Sequence, residues 1–226
     1  MKQILTLGLV MILSVAAFAQ KNVTQFLGIP VDGTKAAMMQ KLKAKGYTYN
    51  AKLDCLEGEF NGRDVTLHIV TNNNKVWRIR VSDAYPTRNE ADIRVRFNTL
   101  CRQFSKNGKY MPVDITGEFE ISEDEDISIQ MSLYNKRYEA AYYQVTEADK
   151  DTTGMQEWFL NKVLEDYGAE KWESMSETEH VKIAVEWMLE KVAKKSVWFM
   201  ISEQYGRYSI NLYYDNEYNH SNGEDL

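Results

Sequence analysis

Cys55, His68 and Arg78 are the residues of this chain whose types and spacing could do chemistry together. They fall in three consecutive runs, Leu53 to Phe60, Arg63 to Val70 and Val76 to Val81, separated by Asn61-Gly62 and Asn72-Asn73-Asn74. Asn-Gly between alternating runs is the strongest short hairpin signal. A two-residue turn there pairs Phe60 with Arg63 and, counting back, Cys55 with His68. A three-residue asparagine loop pairs Thr71 with Lys75 and His68 with Arg78. Directly opposed residues share a face of a sheet, so the count predicts one line of Cys55, His68 and Arg78 across three strands. A thiol beside an imidazole and a guanidinium has its thiolate favoured, which is how a nucleophilic cysteine is activated. The blander expectation is that Val65, Leu67 and Ile69, facing the other way, supply the apolar surface. The cysteines are then either inert thiols or a Cys55 to Cys101 disulfide.

A second surface is legible near the C-terminus. A Tyr205-Gly206 turn pairs Ile201 with Ile210 and Phe199 with Leu212, which leaves Trp198, Met200 and Tyr213 together on the other face. Exposed aromatics anchor sugars and protein partners, whereas aromatics two apart in a strand also serve as core beneath a helix. The remaining candidates are weaker. Glu123-Asp124-Glu125-Asp126 lacks the glycine and distal glutamate of a calcium loop and reads as a solvated turn. His180 and His220 have no partner at metal-ligand spacing. The chain carries no GxSxG elbow, no HExxH, no glycine-rich phosphate loop and no dinucleotide fingerprint; no metal or other cofactor is expected.

These residues need elements to position them. Thr34 caps a short helix with Met38, Met39 and Leu42 at helical spacing and Gly46 as its stop. The three strands follow as a β-meander, then a helix over 89–106 with Ile93, Phe97, Leu100, Cys101 and Phe104 on one face. The second half echoes the first: Gly117-Glu118-Phe119 repeats Gly58-Glu59-Phe60, and Asp126 to Ile129 repeats Asp64 to Leu67, which predicts a second meander. A helix from Gly154 to Tyr167 comes next. Ser176 and Glu179 form a capping box for a helix to about Lys194, with Val181, Ala184, Val185, Met188 and Val192 on one face. The chain closes with the hairpin of Val197 to Ser202 and Tyr208 to Tyr214 and a polar tail expected to fray.

The expected fold class is α+β: either two related lobes of antiparallel β-meander plus helices, or one continuous antiparallel sheet with helices packed on it. The corresponding division is a signal peptide over 1–19, a helix, meander and helix over 20–108, and a second meander, two helices and a closing hairpin over 109–226. The signal peptide rests on Lys2, the apolar run from Ile4 to Val15 and the small-residue site Ala17-Phe18-Ala19 before Gln20. That run is too short to span a bilayer, and no later segment is apolar enough. The expected product is periplasmic or secreted. The full chain's net charge of −6 argues against nucleic acid as a partner.

The block FLGIPVDGTKAAMMQKLKAKG, followed by LEGEFNG, KVWRIRV and RFNTLCRQF, resembles a family of exported bacterial proteins of unknown function. The resemblance covers residues 26–104 and implies no catalytic residue. The helix-then-meander order is also similar to the modules of β-lactamase inhibitor protein and of small outer-membrane assembly lipoproteins. Those modules open with two helices, where this chain has one.

Export, 12% aromatic content with 14 tyrosines and no recognisable catalytic signature point to a non-enzymatic module that binds a protein, peptide or glycan through a sheet face. The competing expectation is a small hydrolase or thiol-dependent enzyme centred on Cys55 and His68. A deep pocket around that row favours the enzyme, and a flat aromatic face favours binding.

Overall fold

The computed structural model describes residues 22–114, 116–146, 149 and 152–221. The segment read as a signal peptide lies outside the described residues, as do the side chains of Met188 and Val192 and the end of the polar tail.

The two helices and the three-strand meander expected in the first half form at their predicted places. β1 (Gln25–Phe26) and β2 (Ile29–Pro30) form a small ribbon. α1 (Lys35–Ala44) starts where the Thr34 hydroxyl accepts from the Ala37 amide at 3.3 Å, and Gly46 takes the left-handed conformation after it. β3 (Thr48–Asn50), β4 (Cys55–Phe60), β5 (Arg63–Asn72) and β6 (Lys75–Asp83) are antiparallel neighbours. α2 (Glu90–Lys106) buries Ile93, Phe97, Leu100, Cys101 and Phe104, the five residues its periodicity selects.

The predicted second meander is absent. Residues 116–126 form no strand, and Ile127–Tyr134 is a helix, α3. The reason is Asp126, whose carboxylate accepts from the Ile129 amide at 2.8 Å, while Asn135 ends the helix in the left-handed conformation. An Asp-Ile-Ser-Ile string carries β-branched residues that suit a strand, but the cap and stop decide. Sheet strands resume with β7 (Tyr110–Pro112), which precedes α3, and β8 (Glu139–Gln144). α4 (Thr152–Asp166), a short α5 (Ala169–Glu173) and α6 (Glu177–Ala193) then connect β8 to the closing hairpin of β9 (Ser196–Gln204) and β10 (Arg207–Asp215).

The architecture is α+β with one continuous antiparallel sheet of eight strands, in the order β3-β4-β5-β6-β10-β9-β8-β7. It runs straight across the 108/109 division, because β6 pairs with β10. Of the two arrangements expected, the single sheet is the one formed. One face carries Leu56, Val65, Leu67, Ile79, Val81, Tyr142, Phe199, Ile210 and Leu212, which share a buried core with Met38 and Leu42 of α1, Phe97 and Leu100 of α2 and Ile127 of α3. Among the described residues no helix shares a core with the opposite face. Among the described residues the sheet therefore has an inner face under α1 to α3 and an opposite, open face without a helix packed into a shared core.

α4 to α6 form the connection from β8 to β9, and α6 contacts β8. Here the expected apolar stripe is corrected. The capping box forms, with Glu179 accepting from the Ser176 amide at 2.8 Å, but Val181 and Val185 are exposed. Among the described side chains of α6 the buried one is Trp187, packed against Trp158, Phe159, Tyr167 and Trp172. Wide aromatic rings outcompete valines for the interior. The tail is also less free than expected up to His220: Asn216 is buried, and the Asn219 amide donates to Asp32 and to the Val76 carbonyl. Among the described residues no helix is long and apolar enough to cross a membrane.

Candidate functional site

The thiol row does not assemble as counted. The β4–β5 hairpin has the predicted register, from Phe60 opposite Arg63 to Leu56 opposite Leu67, and the ladder stops one pair short of Cys55, which pairs with Asn50 of β3. The next hairpin differs. Its turn is the two-residue Asn73-Asn74, both left-handed, with Asn72 opposite Lys75, and a β-bulge follows between Val70 and Thr71 on one strand and Val76 and Arg78 on the other. Trp77 is the extra residue. In consequence His68 faces Arg80, while Arg78 faces Val70.

The environment also reverses the expected activation. Cys55 is only 2% exposed, and burial, reinforced by the carboxylates of Glu57 and Asp54, pushes its thiol pKa up. Burial, together with the Arg80 guanidinium, pushes the His68 pKa down. Both groups are held neutral, the opposite of a thiolate and imidazolium pair. Cys101 lies in the core under α2, where burial raises its pKa to about 12. Cys55 lies outside that core, and both cysteines are free thiols. The two thiols belong to opposite sides of the sheet, since α2 covers the Val65 and Leu67 face.

The closing hairpin fulfils its count. Ile201 faces Ile210, Phe199 faces Leu212, and Trp198 faces Tyr213. Trp198 and Tyr213 stack at 4.1 Å between ring centroids with 19° between planes. Met200, two residues along, shares the face, and all three are half-buried. The ladders place His68, Arg80, Tyr213, Trp198 and Ala141 in one row across five strands of the open face.

Arg78 joins this group because the bulge shifts it toward β10. Its Nε and Nη2 donate to the two oxygens of Asp215, each at 2.6 Å, and the Trp198 indole donates to the same carboxylate at 2.9 Å. The guanidinium carbon lies 4.2 Å from the Trp77 ring centroid, 4.7 Å from Tyr213 and 5.4 Å from Trp198. A bidentate arginine under stacked rings is rigid, so the aromatic pair is presented in a fixed geometry. Arg80 differs: its buried Nε has no hydrogen-bond partner among the described residues. The open face thus carries two arginines beside a ring stack, Arg78 locked in an ion pair and Arg80 opposite Tyr213.

Trp77, Arg80 and Asp215 were missed from sequence. The signal for the first two is Val76-Trp77-Arg78-Ile79, where two residues separate apolar positions that alternation would separate by one. Asp215 gives none, since its partner lies across a ladder of high sequence separation. Of the other candidates, Glu125 accepts from Tyr138 and pairs with Lys136, and Arg94 donates to the Glu123 and Glu125 carbonyls. His180 stacks on Trp172 and contacts its carbonyl oxygen. Among the described residues no three histidine, cysteine or carboxylate side chains are placed to hold a metal.

Comparisons with models of protein families, with curated proteins and with solved structures find no match to this chain.

Proposed function

We propose that this protein is an exported, non-enzymatic binding module whose open sheet face docks a partner protein. The observation that carries the reading is the Trp198–Tyr213 stack, half-buried at the middle of the sheet with Met200, Arg78 and Arg80 around it. Tryptophan, tyrosine, methionine and arginine are the side chains enriched at interface centres, where rigid rings supply area at little entropic cost. A flat face suits a protein or an extended peptide better than a small molecule. Arg80, half-buried in the same row as Tyr213, favours a partner that brings a carboxylate or carbonyl to its guanidinium.

The thiol-enzyme reading has less support, because a nucleophile must reach solvent and ionise, and Cys55 is buried with a raised pKa. Export rests on the sequence alone. It predicts a mature product beginning at or near Gln20, checked by mass spectrometry of the chain recovered from its natural host; a cytoplasmic product retaining Met1 would contradict it.

The docking reading is tested by native-state co-purification from the envelope and culture fluid with two forms of the protein. A partner that co-elutes with the wild type and is lost with Trp198→Ala and Arg80→Ala, both variants remaining folded, supports it. A partner retained by both variants, or a glycan array giving tight Trp198-dependent binding in its place, would refute the protein-docking reading.

A further inference from the structure

The inner side of the fold holds a second feature, away from the open face. A cleft of about 600 Å³ lies between the β1–β2 turn, the β4–β5 turn, the end of α2 and β7, within the range of small-molecule sites. It continues under Leu27 into a smaller lobe of about 330 Å³, and Leu27, Phe60, Asn107, Tyr110 and Tyr214 border both.

We propose that this cleft binds a neutral saccharide of one or two units. Three features of its lining select that class. The first is aromatic surface: Phe60, Phe104 and Tyr110 line it, with Phe104 and Tyr110 centroids 4.5 Å apart. Phe60 and Tyr110 are half-buried, so part of each ring remains free to meet the C–H face of a sugar. The second is a set of carboxamides, Asn61, Gln103 and Asn107, on the rim. Asn61 donates to the Gln103 side-chain oxygen at 2.8 Å, which leaves an acceptor on Asn61 and a donor on Gln103. Amides offer both roles at once, as sugar hydroxyls do. The third is low charge: Lys45 and Glu59 border the large lobe and Lys109 the smaller one, so the whole cleft carries two separated cations and one anion. A phosphorylated ligand lacks a cationic cluster here, and a purely apolar one would strip water from the amides without replacing it.

The test is side-chain amide NMR of the full mature chain titrated with glucose, galactose, N-acetylglucosamine, cellobiose, lactose and chitobiose, with glucuronate and triglycine as controls. The inference predicts that at least one neutral sugar shifts the Asn61, Gln103 and Asn107 amide signals saturably, and that neither control does. Gln103→Ala, on an exposed helix position, and Asn61→Gly, which keeps the left-handed turn, each weaken that binding about threefold to tenfold, the loss of one neutral hydrogen bond. Silence from every sugar at tens of millimolar overturns the inference. So does binding that Trp198→Ala removes and Gln103→Ala leaves unchanged, which would instead place the sugar on the open face.

Discussion

Replacing Arg78 with methionine tests the ion pair that fixes the open face. Asp215 is 2% exposed and Arg78 23% exposed at the side chain, and the carboxylate accepts two bonds from Arg78 and one from Trp198. Methionine keeps the stem packing but strands a buried carboxylate on the single indole N–H. Breaking one side of a buried pair costs about 3–5 kcal/mol. Water reaches the partly exposed Arg78, so the loss belongs at the lower end, about 3 kcal/mol or roughly a hundredfold in the folding equilibrium. Urea unfolding followed by tryptophan fluorescence should show the midpoint falling by about 1–3 M. Arg78→Met with Asp215→Asn removes both charges and should recover most of the loss, to within about 1 kcal/mol of the wild type. A single-variant loss below about 1 kcal/mol, the value of a solvated pair, would refute the reasoning, as would a double variant no better than the single.

Three further outcomes follow from other parts of the fold. Gly58→Ala should destabilise by about 1–3 kcal/mol, because its added Cβ would lie 2.6 Å from Cδ1 of the buried Tyr47 ring; a thermal melt unchanged from wild type would contradict the packing. Thiol titration of the native protein should find no fast-reacting cysteine, and denaturation without reductant should release both; a fast thiol slowed by His68→Ala would revive the enzyme reading, and thiols appearing only after reduction would contradict their separation by the sheet. Burial raises the Asp149 pKa, but hydrogen bonds from Lys195 and Thr146 outweigh it and hold the carboxyl below its ordinary value. Its contribution to stability is therefore present above the unfolded value of about 4 and lost as pH falls through the lower folded one, so acid unfolding curves of wild type and Asp149→Asn should converge below about pH 4; parallel curves would sink the assignment.

The sequence carries register wherever a turn is set by its own residues. Asn61-Gly62 and Tyr205-Gly206 each adopt the left-handed pair of conformations a two-residue hairpin requires, and the faces of β4, β5, β9 and β10 follow from counting. Asn72-Asn73-Asn74 is ambiguous because each asparagine tolerates that conformation. The turn therefore admits two lengths, and the bulge at Trp77 adds a second shift that counting from the turn misses. The halves also look more alike in sequence than they are: Asp126 acts as a helix cap, where Asp64 pairs within a strand ladder. At the candidate site, Trp198, Met200 and Tyr213 were legible because one tight hairpin orders them. The pairing of Asp215 with Arg78 and of Arg80 with Tyr213 was not, because the β6–β10 ladder that makes both joins residues far apart in the chain.

Docking through the open sheet face is tested most directly by site-specific photo-crosslinking in the natural host. A photo-reactive residue at Met200, beside the Trp198–Tyr213 stack, is compared with one at exposed Val95 of α2 and one at exposed Leu53 before β4. The account predicts a discrete crosslinked protein from position 200, absent from 95 and 53, and lost when Arg80→Ala is added to the folded protein. Crosslinks of equal yield from all three positions, or a discrete product from 95 with none from 200, would contradict it.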